Sequence, residues 1–561
     1  MVPIKRSQRP ALLFFVFLLS LCLFSRLAQA EKNARTLSNV WVADEGNGKY
    51  KNPVLYADYS DPDVIRVGEM FYLVASSFDQ VPGLPILESR DLVNWRLVAH
   101  ALPALSPLQT YRTTRHGSGA WAPSIRYHAG MFFIFYSDPD FGIYMTKATK
   151  ITGPWSPPKL IRAAKGWIDP CPLWDDDGKA YLIHGMAASR SGIKNILVID
   201  RMTPDAEQLL DDGSLVVDGH PSDTTLEGPK LYKHHGYYYI FAPAGGVTAG
   251  YQLVLRSRSI YGPYERKVVL AQGNTAFNGP HQGAWVTTAE HEDWFLHFQD
   301  RGPYGRVVLL EPMHWQKDDW PIIGVNQDHH GIGEPVAEFQ KPHVTGFQPR
   351  ETPADSDEFD GSQIGPQWQW QANPQPGWAL PSPALGVLRL LNVAIDSTIG
   401  ERLWTTPNLL SQKLPGPVFT LTTRLTAHNF QIGDRSGLVL LGQDYAYLAI
   451  RKTEAGLVVV YGTCMDAEQD GVEKETVIGK LESDTVYLHI DMDAEARATF
   501  SFSTDGQSFQ PAGSGFKARE GVWIGAKLGL FAQSRIMNRE NGYVDVDWFR
   551  FAKPADRGNG S

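Results

Sequence analysis

Gly68-Glu69-Met70-Phe71-Tyr72-Leu73-Val74 sets a turn glycine against a short aromatic strand, and the pattern returns along the chain. It recurs as Gly130-Met131-Phe132-Phe133-Ile134-Phe135-Tyr136, as Asp177-Gly178-Lys179-Ala180-Tyr181-Leu182-Ile183 and as His235-Gly236-Tyr237-Tyr238-Tyr239-Ile240-Phe241. Glu292-Asp293-Trp294-Phe295-Leu296-His297-Phe298 is a weaker fifth copy. Successive glycines from Gly68 to Gly236 stand 62, 48 and 58 residues apart. Periods of about 40–60 residues built from short strands are those of propeller blades, four strands to a blade. No sustained 3.6-residue apolar period competes. The repeat therefore predicts a five-bladed β-propeller over residues 40–345.

Working outward, Gly153-Pro154-Trp155 and Gly262-Pro263-Tyr264 follow two cassettes at matching places and predict turns before outer strands. Beyond the repeat, Phe347-Gln348-Pro349-Arg350-Glu351-Thr352-Pro353 is polar and Pro-containing, which predicts a linker over residues 346–355. Alternating segments then resume without a blade period: Leu388-Arg389-Leu390, Val486 to Ile490, Thr499 to Phe502 and Tyr543 to Phe551. Asp505-Gly506 supplies a hairpin turn. Together these predict an all-β chain with a β-sandwich over residues 356–552.

At the other end, Lys5, Arg6 and Arg9 precede an apolar run from Ala11 to Phe24, and Ala28-Gln29-Ala30 follows. That order predicts a signal peptide over residues 1–30 and a secreted or periplasmic protein. The run is shorter than the roughly 20 residues a spanning helix needs, so no membrane partner is expected after cleavage. Losing four basic residues and no acid takes the formal net charge from −9 to −13. A nucleic acid would be repelled on average. Of three cysteines, only Cys171 and Cys464 remain, too few for a disulfide framework or a structural zinc site.

Innermost strands of a propeller face one channel, so equivalent positions in different blades converge. Asp61 lies seven residues before Gly68; Trp121, Asp169 and Glu227 each lie nine before their own cassette glycine. His281 lies eleven before Glu292. A lone acid at a strand start caps a turn. Three acids at matched offsets, each followed by Pro or Gly-Pro, read better as a site. Clustered carboxylates raise one another's pKa, which leaves one as acid and another as base. Glycoside hydrolysis uses such a pair.

Ser60-Asp61-Pro62-Asp63, Trp121-Ala122-Pro123-Ser124, Trp167-Ile168-Asp169-Pro170 and Glu227-Gly228-Pro229-Lys230 resemble, in order, the landmarks of glycoside hydrolase family 43. Asp357-Glu358-Phe359-Asp360 and Gln367-Trp368-Gln369-Trp370 resemble the concanavalin A-like C-terminal domain of its β-xylosidase branch. The resemblance implies inverting hydrolysis with Asp61 as general base and Glu227 as general acid. It implies that Asp169 tunes and orients Glu227, and that Arg306 contacts sugar and acids. Phe78 and Trp121 match walls of the terminal sugar subsite. His281 matches a substrate-side histidine that in some relatives organises a calcium ion through waters; no cofactor is otherwise required. Asp63 shares a strand face with Asp61, but the acid immediately before the proline is the one that matches the base. Cys171 reads as a small buried side chain.

The expected activity is thus exo-acting release of β-D-xylose from xylan or xylo-oligosaccharides, with α-L-arabinofuranose as the alternative sugar. A glycan-binding propeller without catalysis is the competing class, and it would be expected to lack at least one of the three acids. The sandwich reads as a structural cover in preference to a free carbohydrate-binding module.

Overall fold

In the computed structural model, residues 37–327, 330–395, 400–535 and 542–554 are described. The expected signal peptide lies outside them. The five aromatic cassettes form Met70–Val74, Met131–Asp138, Ala180–Met186, Tyr237–Ala244 and Asp293–Asp300. Each is the second strand of a separate four-stranded antiparallel sheet, so residues 63–323 build five blades. Neighbouring blades cover these strands on both faces, which accounts for near-continuous apolar runs where a half-exposed strand would alternate. Gly68, Gly130, Gly178 and Gly236 take left-handed φ values of 63°, 82°, 81° and 76° in the turns that enter the cassettes. A side chain with a Cβ is strained there, so the repeat carries glycine.

The innermost strands are Asp63–Val67, Trp121–His128, Trp167–Trp174, Lys230–His234 and His281–Thr287. Three of them break register near the start, after Trp121, after Ile168 and after His281. A bulge of this kind re-aims the side chain next to it. Lys230 Nζ reaches from the fourth blade to Pro123 O and Ser124 Oγ of the second, at 2.8 Å each.

Ring closure uses chain that the repeat does not mark. Lys49–Lys51 pairs with Glu338–Gln340. Leu55 and Val308 exchange backbone hydrogen bonds at 3.3 and 3.0 Å. The Asn52 amide brackets Leu310, accepting from its N–H and donating to its C=O at 2.9 Å each. The segment ahead of the first blade is thereby sewn along the last.

Residues 369–552 form a sandwich of one eight-stranded and one seven-stranded sheet. Phe419–His428 alternates buried and half-exposed residues along its whole length, as a strand with one face on the core does. The Asp505-Gly506 connection is longer than a two-residue hairpin: it joins Arg497–Ser503 to Gln510–Lys517, and the Ser503 hydroxyl accepts the Asp505 and Gly506 N–H groups.

One apolar cluster runs through propeller and sandwich. Val40, Tyr56, Tyr304, Val307 and Leu309 pack with Trp368, Trp370, Leu410 and their neighbours. Tyr304 Oη also lies 2.7 Å from Pro417 O and 2.8 Å from Asp493 O, which share its one hydroxyl proton. The connecting segment is tied down too, with Arg350 on Asp44 O and Glu351 N–H on the Asn94 amide oxygen. Each apolar side chain withdrawn from water contributes about 1.5–3 kcal/mol. The five on the propeller side together approach the ~5–15 kcal/mol that holds a whole domain. Truncation after Pro349 is therefore expected to give insoluble or inactive protein, even toward a small aryl glycoside. Soluble truncated protein with full turnover would contradict this.

Candidate active site

Asp61, Asp169 and Glu227 come together, with Phe78, Trp121 and Arg306, around a single cavity of about 300 Å³. The acids belong to three blades, and the offsets read from the sequence bring them to one place. Asp61 and Asp169 take φ values of +54° and +58°, and Phe78 and Gln282, which also line the cavity, take +51° and +30°. Non-glycine residues rarely adopt such angles, and their gathering around one cavity is a mark of a functional site.

Asp61 is held at both oxygens. Ser76 Oγ donates to Oδ2 at 2.5 Å, and Arg306 Nη1 donates to Oδ1 at 2.9 Å. The guanidinium also lies 4.8 Å over the Phe298 ring. Asp63, its neighbour on the strand, serves differently. It is fully buried, and its Oδ2 accepts the Ile125 N–H and Arg126 Nη1 at 2.7 and 2.6 Å, tying the first blade to the second.

Asp169 Oδ2 accepts the Gly228 N–H at 2.8 Å, so this acid positions the backbone immediately after Glu227. Burial and then the Asp61 charge push the Asp169 carboxyl well above the ordinary carboxylate range. Burial and then Asp169 do the same to Glu227. Lys194 and Arg306 pull Glu227 the other way without cancelling the rise. The result is an acid that keeps its proton at neutral pH, opposite a carboxylate already engaged by an arginine. Folded Glu227 thus binds a proton that the unfolded chain releases near its ordinary value of 4.5. More protons in the folded state means stability falls as pH rises from that value toward the raised one. Chemical denaturation at about pH 5 and about pH 8 is expected to show this loss, and Glu227→Gln to lessen it.

His281 stands behind this lining. It is buried, with Nε2 3.4 Å from Glu227 Oε1 and neither ring nitrogen hydrogen-bonded within the protein. Burial, then Arg306 and His297, lower its pKa to about 3, so the ring is neutral. His281 is outside the residues that line the cavity and approaches it through Glu227. Calcium takes six to eight oxygen ligands. Among the described residues no three His, Cys, Asp or Glu side chains converge to hold a metal. Waters and backbone carbonyls also ligate calcium, so an ion held through waters beside His281 needs no such group.

Cys171 is buried in an apolar cluster, and its sulfur accepts from Arg126 Nη2 and the Leu231 N–H at 2.9 and 3.3 Å. Trp121 Nε1 donates to Gly117 O at 3.1 Å, and Phe78 meets Trp121 edge-on at 5.9 Å. Sequence reading missed Trp523, which comes from the sandwich, lines the cavity and lies 6.2 Å from Trp121. It also missed Lys194, Gln282 and Ser76. None sits at a repeated offset; Trp523 had only the signal of a tryptophan beside Gly521 and Gly525 in a loop.

A propeller whose central pocket pairs a protonated, half-buried acid with an arginine-held carboxylate has the parts of a glycoside hydrolase. Residues 50–321 match the glycosyl hydrolases family 43, and residues 356–552 match the beta xylosidase C-terminal concanavalin A-like domain. A protein of Xylanibacter ruminicola, given a provisional beta-xylosidase name, is 40% identical over 493 residues, 87% of this chain and 86% of its own. A beta-xylosidase of Formosa agariphila is 32% identical over 569 residues, covering 92% of each chain. The xylan beta-1,4-xylosidase of Bacillus halodurans superposes with a TM-score of 0.78 at 25% identity, over 90% of this chain and all of that one. The chain belongs to glycosyl hydrolase family 43. It is a glycosidase, and its substrate is a carbohydrate.

Proposed function

We propose that this glycosidase is exported, acts from the chain end of xylan or xylo-oligosaccharides, and releases β-D-xylose with inversion. The observation that carries the reading is the arrangement of Asp61 and Glu227 in one walled cavity, the first held by Arg306 and the second kept protonated by burial and Asp169. Glu227 donates its proton to the leaving oxygen. Asp61 takes a proton from the water that attacks the opposite face of the anomeric carbon. Asp169 holds the Gly228 N–H and keeps Glu227 from ionising early. Phe78, Trp121 and Trp523 enclose the sugar and leave room for few residues, which suits attack at an end. Export is supported by the basic, apolar and small-residue order over residues 1–30.

A second sugar is favoured by one relative: a non-reducing end alpha-L-arabinofuranosidase of Bacteroides ovatus is 27% identical over 92% of this chain. Assays on an aryl β-D-xyloside and an aryl α-L-arabinofuranoside, side by side, test the choice. The xyloside is expected to give the higher kcat/KM. The reverse order would assign the enzyme to arabinofuranose.

A further inference from the structure

Asp58 lies three residues before the base and is surrounded by hydrogen-bond donors from both domains. Its side chain is 3% exposed. Oδ1 accepts the Arg306 backbone N–H and the Ser60 hydroxyl, each at 3.0 Å. Oδ2 accepts the Gly525 N–H at 3.0 Å and the Lys527 ammonium at 3.2 Å, both from the sandwich. Burial alone would raise its pKa, but Lys527, Lys413 and the Arg306 and Gly525 N–H groups together lower it to about 2, so Asp58 stays an anion.

The loops that meet there leave no slack. A Cβ on Gly305 would fall 2.4 Å from Asp58 Cγ, and one on Gly525 would fall 2.7 Å from Gly305 N. The Ala526 N–H donates to Pro303 O at 2.7 Å beside them. Each loop also carries a side chain into the cavity. From the propeller side, Arg306 continues to Asp61 at 2.9 Å. From the sandwich side, Trp523 sits two residues before Gly525, in a left-handed conformation with φ 65°, and faces Trp121.

We propose that Asp58 is a positioning residue: one buried carboxylate sets both the arginine that faces the base and the sandwich loop that supplies the Trp523 wall. A buried ion pair is by itself weak evidence of stabilisation. Here the two loops it joins each end in a side chain at the cavity. Displacing a catalytic contact by about 1 Å costs on the order of 10²-fold in rate, so a shared anchor has a kinetic consequence that a plain latch lacks.

The inference rests on reading Asp61 as the base, and Asp61→Asn tests that reading separately. In the full-length chain, Asp58→Asn offers one acceptor oxygen where two are used, so one loop meets an amide N–H whichever way the group turns. Gly525→Ala leaves Asp58 intact and wedges the sandwich loop from Gly305. Both variants are expected to keep a native circular dichroism spectrum, to lose about 10- to 100-fold in kcat on an aryl xyloside, and to show a raised KM. Folded variants that melt earlier but keep kcat and KM would reduce Asp58 to a structural latch and overturn the proposal. Should Asp58→Asn fail to fold, Gly525→Ala decides alone. If Asp61→Asn stays active, the reading of the base falls. If Asp61→Asn is dead while Asp58→Asn and Gly525→Ala behave as wild type, only the positioning role falls.

Discussion

Glu227→Gln is expected to lower turnover of unactivated xylosides by about 10²–10⁴-fold, the usual worth of a general acid. Aryl glycosides with an acidic phenol should be spared most of that loss. A sugar alkoxide is a poor leaving group and must be protonated as the bond breaks, whereas a phenolate of low basicity departs unaided. The substitution keeps the size of the side chain and removes only the proton that burial and Asp169 hold on Glu227. It also removes the group whose ionisation ends activity at high pH, so the basic limb of the pH profile should flatten on the activated substrate. Equal losses on both substrate types, with an unchanged basic limb, would assign Glu227 another role.

Asp61→Asn should be at least as damaging on every substrate, because activation of water is needed whatever the leaving group. An amide cannot take the proton of the attacking water, although it can still accept from Arg306 or Ser76. Asp63→Asn should behave differently. Its carboxylate bonds Arg126 and the Ile125 N–H, so the variant is expected to melt earlier with little change in kcat of the folded fraction. Proton NMR of the first product completes the test. Water delivered opposite Glu227 gives the inverted anomer before mutarotation, and acid and base carboxyls about 6.5–9.5 Å apart leave room for it. Retention of configuration, or activity lost in Asp63→Asn and kept in Asp61→Asn, would reverse the assignment.

How far the site was legible depended on whether a residue belonged to the repeat. Asp61 stands seven residues, and Trp121, Asp169 and Glu227 nine, before a cassette glycine, so chain-local spacing placed them in one channel. His281 shared that placement, and its spacing held. What spacing could not supply was its depth: the strand breaks register after His281, and the residue is buried beside Glu227, out of the cavity lining. The choice between Asp61 and Asp63 turned on the proline after Asp61, and tertiary partners now give each carboxylate its own work. Arg306 holds the first and Arg126 holds the second.

By itself the sequence determined the five blades, the sandwich, the three acids and the order in which they come. Those features are written in short-range terms: a left-handed glycine before four of the five aromatic strands, alternation in the sandwich strands, a proline after an acid. Tertiary structure alone decided the closure of the ring by Lys49–Lys51, the wall supplied by Trp523 and the anchoring of Arg306 through Asp58. The Asp58 contact to Gly525 spans 467 residues, and nothing local to either residue marks the other. Such contacts exist only where the two domains pack on their shared apolar cluster. Their geometry is then a property of the packed interface, where a carboxylate taken out of water must find donors from whichever chain segment lies against it.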